Sequence, residues 1–178
     1  MNYRTLSKID AERLWEMMNQ LDYETKYMLY EPGERTKNLT RIESLINNSV
    51  EEDDFLLVAE ADDKIVGYIS AQKGALRRIA HSAYIVVGVL KDYRRKGIGA
   101  EFFKRLDSWA EEKKITRLEL TVICENEVAK HLYEKNGYEV EGVKRKSVFV
   151  DGRYLDEYYM AKIRQERGTT EEPRYEHT

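Results

Sequence analysis

Two arginines, a lysine and two glycines stand together in Arg94-Arg95-Lys96-Gly97-Ile98-Gly99-Ala100. The run before this segment is apolar and β-branched, and the residues after it repeat apolar side chains at helical spacing, so the segment leads from a strand into a helix. Free N–H groups at a helix start, together with the helix dipole, attract anions, and glycines allow a close approach. The segment therefore predicts a phosphate-binding loop with added positive charge.

Two other nucleotide-binding loops do not fit this segment. A P-loop needs Ser or Thr after Gly-Lys, which is absent here, and a dinucleotide fingerprint needs a third glycine where Phe102 stands. What remains is the pattern Arg-x-x-Gly-x-Gly from Arg94 to Gly99. The alternative interpretation of this pattern is a helix start with solvated basic side chains.

Asn126 and Tyr133 form a second candidate pair, seven residues apart. On a helix they share one face and lie about 10 Å apart. A phenol with a pKa near 10 stays protonated at neutral pH and can donate to an atom on which negative charge develops. The alternatives are a helix N-cap for Asn126 and a core position for Tyr133.

The composition limits the function classes. The chain has 178 residues, the length of one domain, and a formal net charge of −3, which gives no global attraction to nucleic acid or anionic membranes. No apolar segment reaches bilayer-spanning length and no signal-peptide core follows the N-terminus, so we expect a cytoplasmic protein. Cys124 is the single cysteine and only three histidines occur, so neither a disulfide nor a metal site is predicted.

Periodicity predicts the elements that position these residues. Asp10 is the predicted N-cap of a first helix that ends near Gln20, and Asn126 the predicted N-cap of a last helix that ends near Asn136. Asp151-Gly152 predicts a tight hairpin turn. Further helices are predicted around residues 39–46 and from about residue 97 onward, and strands over residues 3–8, 55–60, 65–70, 82–90, 118–123, 147–150 and 153–155. Residues 1–163 are expected to form one domain and the polar residues 164–178 a flexible tail.

At these motifs the chain resembles the GNAT superfamily of acetyl-CoA-dependent N-acetyltransferases. The family's pyrophosphate loop is matched at Arg94, Gly97 and Gly99, and its next conserved element at residues 126–138. Residues 142–163 also look like the C-terminal hairpin of small bacterial members that acetylate polyamines, amino-acid derivatives or protein N-termini. The resemblance implies a mixed α/β fold with a mostly antiparallel central sheet, about four helices, and a splayed strand pair that holds the coenzyme.

The resemblance also implies how acetyl-CoA would bind. The amides of residues 95–100, which include Ile98 and Ala100, would hold the diphosphate while Arg94 and Lys96 neutralise it. Backbone groups of Val87 and Val89 would pair with the pantetheine arm as if it were another strand.

Four further roles follow from the resemblance and the local pattern. Gly88 would ease a bulge in the strand that binds the arm. Asn126 would hydrogen-bond pantetheine, and Tyr133 would protonate the departing thiolate. A backbone N–H near Val89 could stabilise the oxyanion of the tetrahedral intermediate.

The acceptor is expected to be a primary amine, preferably of a small molecule. Glu119 or Glu31 could remove its proton through water, the alternative being solvated surface glutamates. Tyr27, Tyr30 and Glu31 could line a pocket for a cationic amine, the alternative being loop packing. Transfer to a protein N-terminus or lysine, and a coenzyme-binding module without catalysis, stay open, as does a homodimer.

Overall fold

The computed structural model of this protein describes residues 1–51 and 53–165. A single seven-stranded sheet runs through it in the order β1-β2-β3-β4-β5-β7-β6. All neighbouring strands in this order are antiparallel except β4 and β5, which are parallel. The strands are β1 (Asn2–Arg4), β2 (Phe55–Ala61), β3 (Lys64–Lys73), β4 (Ser82–Val89), β5 (Arg117–Ile123), β6 (Glu139–Val150) and β7 (Arg153–Ile163); the helices are α1 (Ala11–Glu24), α2 (Leu39–Glu51), α3 (Ile98–Glu112) and α4 (Glu127–Lys135). The predicted mixed, mostly antiparallel fold is confirmed.

The two faces of the sheet carry different helices. A Cβ atom at Gly88 would lie 2.3 Å from Leu21 Cδ2, so α1 packs directly on this part of β4. A Cβ atom at Gly67 would lie 3.4 Å from Phe102 Cε2, so α3 packs on the opposite face. Because cross-strand neighbours share a face, Tyr68, which pairs with Gly88, points towards α1.

The first helix is longer than predicted. It continues to Glu24, four residues beyond Gln20, because its buried stripe extends through Leu21 and Asp22. The extension brings the end of α1 onto the centre of the sheet.

Asp10 precedes α1 as predicted, but its side chain does not cap that helix. The residue also closes a 3₁₀ turn, and its carboxylate accepts a hydrogen bond from Ser7 N at 3.0 Å. Arg4 Nη2 lies 2.8 Å from the same carboxylate. Asp10 therefore ties β1 to the start of α1.

The C-terminal hairpin forms at the predicted turn, but its strands extend beyond the predicted residues 147–150 and 153–155, since β6 begins at Glu139 and β7 ends at Ile163. Asp151 and Gly152 both have positive φ, 50° and 78°, as the tight turn between β6 and β7 requires. Beyond β7, Arg164 N donates to Thr116 O at 2.8 Å. Residues 166–178, most of the predicted tail, lie outside the described residues. Within residues 1–51 and 53–165, no helix is long and apolar enough to span a bilayer.

Candidate active site

The parallel strands β4 and β5 are paired only at their beginnings. Their ladder contains three residue pairs and ends at Tyr84 and Glu119. Beyond this point β4 continues beside β3, and β5 continues beside β7. We call the gap between residues 85–89 of β4 and residues 120–123 of β5 the fork. It is the splayed strand pair that the resemblance implied.

The backbone of β4 presents hydrogen-bonding groups to the fork. Leu90 N donates to Val66 O at 2.9 Å, so the even-numbered positions of β4 exchange hydrogen bonds with β3. Successive residues of an antiparallel ladder direct their backbone groups to opposite sides. The N–H and C=O groups of Val87 and Val89 therefore face the fork.

The glycine-rich loop follows β4 directly and ends in the start of α3. Arg95 and Gly97 both adopt left-handed conformations, with φ of 61° and 82°. Gly97 is the N-cap of α3 and has no side chain to occupy the first N–H groups of the helix. Left-handed residues beside a helix start are typical of anion-binding backbone concavities. Ile98 turns its side chain into the core, so its contribution at this site is its backbone.

The basic side chains of the loop are exposed, and one of them has a defined partner. Arg94 Nε donates to Val89 O at 2.9 Å, so the arginine links the loop to the end of β4. Lys96 Nζ lies 4.8 Å from the centroid of the Tyr93 ring. Both cations therefore flank the start of α3.

Two glycines near the fork are explained by close packing. A Cβ atom at Gly99 would lie 3.0 Å from Leu132 Cδ2, so this glycine allows α3 and α4 to approach each other. At Gly88 the predicted bulge is wrong, because the ladder between β3 and β4 shows no register shift. The absence of a side chain there makes room for Leu21 of α1.

Tyr133 lies on the α3 side of the sheet. Its ring packs edge-on against Phe103 with centroids 5.8 Å apart, and the residue is buried. Burial raises the pKa of Tyr133 well above its usual value, and the nearby phenols of Tyr84 and Tyr68 add to this effect. Tyr68 and Tyr84 belong to the α1 face of β3 and β4, opposite to the face on which α3 packs.

Asn126 occupies the N-cap of α4, as the alternative interpretation proposed. Its Oδ1 atom accepts a hydrogen bond from Ala129 N at 3.3 Å. A capping amide still carries two Nδ2 donors. The capping role and a contact to a bound ligand are therefore compatible.

Glu119 lies at the closed end of the fork. Its carboxylate accepts a hydrogen bond from Arg117 Nε at 2.5 Å. Next to it, the hydroxyl groups of Tyr84 and Thr121 lie 2.9 Å apart across the strands. A cavity of about 230 Å³ opens here, and its lining consists of Tyr84, Arg117, Glu119, Leu120, Tyr159 and Met160.

Tyr27, Tyr30 and Glu31 all lie in the connection between α1 and α2, residues 25–38, which we call the acceptor loop. Tyr27 and Tyr30 are half-buried and Glu31 is exposed. The Tyr30 hydroxyl accepts a hydrogen bond from Arg41 Nη1 at 3.1 Å. The loop follows α1 and so belongs to the face from which Tyr68 and Tyr84 approach the fork.

Sequence reasoning missed four polar residues around the site: Tyr68, Tyr84, Asp22 and Arg35. Burial raises the pKa of Tyr68 to about 12, and both Arg35 and Asp22 lie close enough to influence it. The signal for Asp22 was available, since it stands four positions after Met18 on the buried stripe of α1. Tyr68 and Tyr84 stand in strands where side chains point to alternate faces of the sheet, so their positions did not set them apart as site residues.

Cys124 follows β5 and has no catalytic surroundings. Burial raises the pKa of its thiol, which disfavours the reactive thiolate. Among the residues that the structure describes, no group of three or more His, Cys, Asp or Glu side chains could hold a metal ion.

Comparison with known proteins places these features in a family. The model of the acetyltransferase (GNAT) family matches residues 15–138. The L-amino acid N-acetyltransferase AaaT of Escherichia coli (strain K12) is 31% identical over 112 residues, which cover 61% of this chain and 67% of that protein. The probable N-acetyltransferase YjcK of Bacillus subtilis (strain 168) is 28% identical over 130 residues, which cover 72% of this chain and 70% of that protein.

Solved structures show the same fold. An acetyltransferase of the GNAT family from Streptococcus pneumoniae superposes with a TM-score of 0.87 at 25% identity, covering 92% of this chain and 99% of that one. The putative acetyltransferase yncA of Salmonella typhimurium, solved with its cofactor acetyl-CoA, has a TM-score of 0.83 at 19% identity, covering 96% and 98%. The family match, which spans the fork, the glycine-rich loop and Tyr133, establishes that this chain is an N-acetyltransferase of the GNAT family.

Proposed function

We propose that the enzyme transfers the acetyl group of acetyl-CoA directly to the primary amine of a small molecule, such as an amino acid, a polyamine or an antibiotic. The observation that carries this proposal is the fork, where the backbone groups of Val87 and Val89 are turned to the gap between β4 and β5. The relative from Escherichia coli, named as an L-amino acid N-acetyltransferase, favours a small acceptor.

Acetyl-CoA fits the groups around the fork. Its diphosphate would bind to the amides of residues 95–100, where α3 begins without a side-chain cap, with Arg94 and Lys96 close by. Its pantetheine arm would lie along β4 and hydrogen-bond Val87, Val89 and the amide of Asn126. The Salmonella yncA structure and a phosphinothricin acetyltransferase from Sinorhizobium meliloti were solved with acetyl-CoA.

The reaction requires two proton transfers. The neutral amine attacks the thioester carbonyl carbon and forms a C–N bond, and the resulting oxyanion would accept a hydrogen bond from a backbone N–H near Val89. Collapse of the intermediate breaks the C–S bond, and Tyr133 donates its proton to the departing sulfur. The proton of the amine passes through water to a carboxylate, for which Glu119, at the closed end of the fork, and Glu31 are the candidates.

Two alternatives compete with a small-molecule acceptor. A protein N-terminus or lysine would present the same nucleophile, so the nature of the acceptor must be measured. A module that only binds the coenzyme would have no use for a phenol beside the thioester, so Tyr133 argues against it. An acetyl-CoA-dependent reaction also supports the cytoplasmic location that the sequence predicts, and a homodimer stays a prediction.

Calorimetry with acetyl-CoA, followed by a free-thiol assay, tests the proposal. The acceptor panel contains the individual L-amino acids, spermidine, and peptides that begin with alanine or contain an internal lysine. Thiol release with an amino acid or spermidine supports a small acceptor. Release only with peptides would replace it with a protein acceptor, and coenzyme binding without any release would favour the binding module.

A further inference from the structure

A buried ion pair lies beneath the acceptor loop. Arg35 Nε donates to Asp22 Oδ2 at 2.5 Å and Arg35 Nη2 to Asp22 Oδ1 at 3.0 Å, which makes a two-pronged pair. The Asp22 side chain is 0% exposed and that of Arg35 13%. Removing one partner of such a pair leaves a buried charge, so the two side chains hold each other strongly in place.

Arg35 also orders the rest of the loop. Its guanidinium carbon lies 4.3 Å from the centroid of the Tyr30 ring, which is the geometry of a cation–π contact. The next residue, Thr36, accepts a hydrogen bond through its carbonyl from Trp15 Nε1 at 3.1 Å. The predicted acceptor residue Tyr30 and the second half of the loop are thus tied to α1.

The end of α1 is in turn attached to the coenzyme strand. Leu21, the neighbour of Asp22, packs on Gly88 of β4. Two residues beyond Asp22, Glu24 Oε2 accepts a hydrogen bond from Lys91 N at 2.6 Å, just after β4 ends. Asp22 is therefore held in place beside the fork, and its ion pair with Arg35 attaches the acceptor loop to α1.

We infer that Arg35 is a positioning residue for the acceptor amine: it holds Tyr30 and the acceptor loop at a fixed place on the α1 side of the fork. The inference rests on the proposed acceptor site and adds a residue to it. Arg35 contacts neither reacting atom, so its effect is on how well the acceptor is bound and oriented.

The role needs an arginine. A guanidinium reaches both oxygens of Asp22 and lies over the Tyr30 ring at the same time, whereas a lysine ammonium is a point charge that cannot do both. Arg35→Lys therefore keeps the charge beside Asp22 but releases the ring. Arg13→Lys is the matched control, since Arg13 is also an α1-side arginine between two carboxylates, Asp10 and Glu60, but lies away from the loop.

Trp15 offers a readout that does not depend on activity. The chain has two tryptophans, Trp15 and Trp109, so Trp109→Phe leaves Trp15 as the single emitter. In that background, Arg35→Lys should shift the Trp15 emission to the red, because the indole loses its contact with a fixed Thr36. Arg13→Lys should leave the emission unchanged.

The kinetic test uses the best acceptor of the panel and acetyl-CoA. We expect Arg35→Lys to raise the acceptor KM about tenfold, the loss of one hydrogen bond to a charged group. Its Kd for acetyl-CoA should stay near the wild-type value, and Arg13→Lys should change neither constant. Tyr30→Leu keeps the ion pair intact and should raise the acceptor KM.

Three results would overturn the inference. The first is an acceptor KM that stays unchanged in both Arg35→Lys and Tyr30→Leu. The second is a rise in the acceptor KM of Arg13→Lys equal to the rise in Arg35→Lys. The third is a Trp15 emission that Arg35→Lys does not shift. A wild-type enzyme that releases no thiol with any acceptor would contradict the proposed function instead. The emission experiment would still decide whether Arg35 pins the loop.

Discussion

Two tyrosines of one aromatic cluster have similar burial and different surroundings. Both pack on Phe103, with ring centroids 5.8 Å away for Tyr133 and 5.6 Å for Tyr138, and burial raises the pKa of both phenols. The phenols of Tyr84 and Tyr68 contribute to the raised pKa of Tyr133. The Tyr138 hydroxyl is buried without a hydrogen-bond partner in the part of the chain that the structure describes. Substitutions of Tyr133 and Tyr138 can therefore distinguish the catalytic role of a phenol from its contribution to packing.

Tyr133→Phe should lower kcat by about 10²- to 10⁴-fold, the usual contribution of a general acid. The Kd for acetyl-CoA should stay nearly unchanged, because the ring still fills its place against Phe103. Thiol release and calorimetry measure the two quantities. In the control Tyr138→Phe we expect wild-type turnover and no loss of stability, since the removed hydroxyl has no partner. Equal turnover in both variants would remove Tyr133 as the acid.

The glycine-rich loop allows a similar paired experiment with charge. Lys96→Glu should weaken acetyl-CoA binding by about tenfold or more, because it replaces attraction to the diphosphate with repulsion at the start of α3. Lys104→Glu makes the same change at an exposed position within α3, eight residues further along the chain. Calorimetry at low and high salt should show a loss that is confined to Lys96→Glu and largest at low salt. Equal affinities would place the diphosphate elsewhere.

At β1 and the start of α1, four charged side chains join three elements. Asp10 is paired with Arg4 and Arg13, and both arginines also contact Glu60 of β2. Hydrogen bonding from Arg4 holds the pKa of Asp10 well below its usual value, with a further contribution from the Ser7 backbone. A three-residue strand such as β1 has few ladder hydrogen bonds, so this network secures the N-terminus.

Asp10→Asn should lower the free energy of unfolding by about 1–3 kcal/mol at neutral pH. The folded-state pKa of Asp10 lies below its unfolded value of about 3.9, so its contribution is complete above that value and is lost as the pH falls towards the folded pKa. Urea unfolding should therefore show a difference in the free energy of unfolding between wild type and variant that becomes smaller in acid. Glu12→Gln, which alters an exposed pair with Lys37, should show little effect at any pH. A difference in the free energy of unfolding that does not change with pH would contradict this role of the Asp10 carboxylate.

Local patterns predicted most of the elements, and the failures have physical causes. The hairpins, α3 and α4 follow from periodicity, from the glycines at positions 97 and 137, and from the cap at Asn126. The end of α1 was misplaced because tertiary burial of Leu21 and Asp22 outweighs the local preference of the polar residues before them. The point at which β4 and β5 part depends on long-range pairing, which spacing along the chain does not encode.

Site residues that lie close together in one segment could be predicted from the sequence. Contacts between side chains from distant segments could not. The residues from Arg94 to Ala100 and the pair Asn126 and Tyr133 are short-range patterns. The pairing of Glu119 with Arg117 was also within reach, since positions two apart on a strand share a face. The contact of Arg35 with Asp22 spans 13 residues and requires the path of the acceptor loop.

The whole molecule should gain stability from its coenzyme. The sheet is continuous on both sides of the fork, but only three residue pairs, at the closed end of the fork, join β4 to β5. A ligand that binds only the folded state at 100 times its Kd adds about 2.7 kcal/mol. Acetyl-CoA should therefore raise Tm in a dose-dependent manner, measured by scanning calorimetry. The Lys96→Glu variant should need more coenzyme for the same shift, and an unchanged Tm at saturation would contradict binding in the fork.

The gap at the centre of the sheet also has a kinetic consequence. In the proposed binding mode, free CoA would bind through the same diphosphate and pantetheine arm as acetyl-CoA, because it lacks only the acetyl group. Each catalytic cycle would then end with the product still bridging the two halves of the sheet between β4 and β5. Turnover would depend on how fast this bridge is released, and CoA would compete with acetyl-CoA for the enzyme.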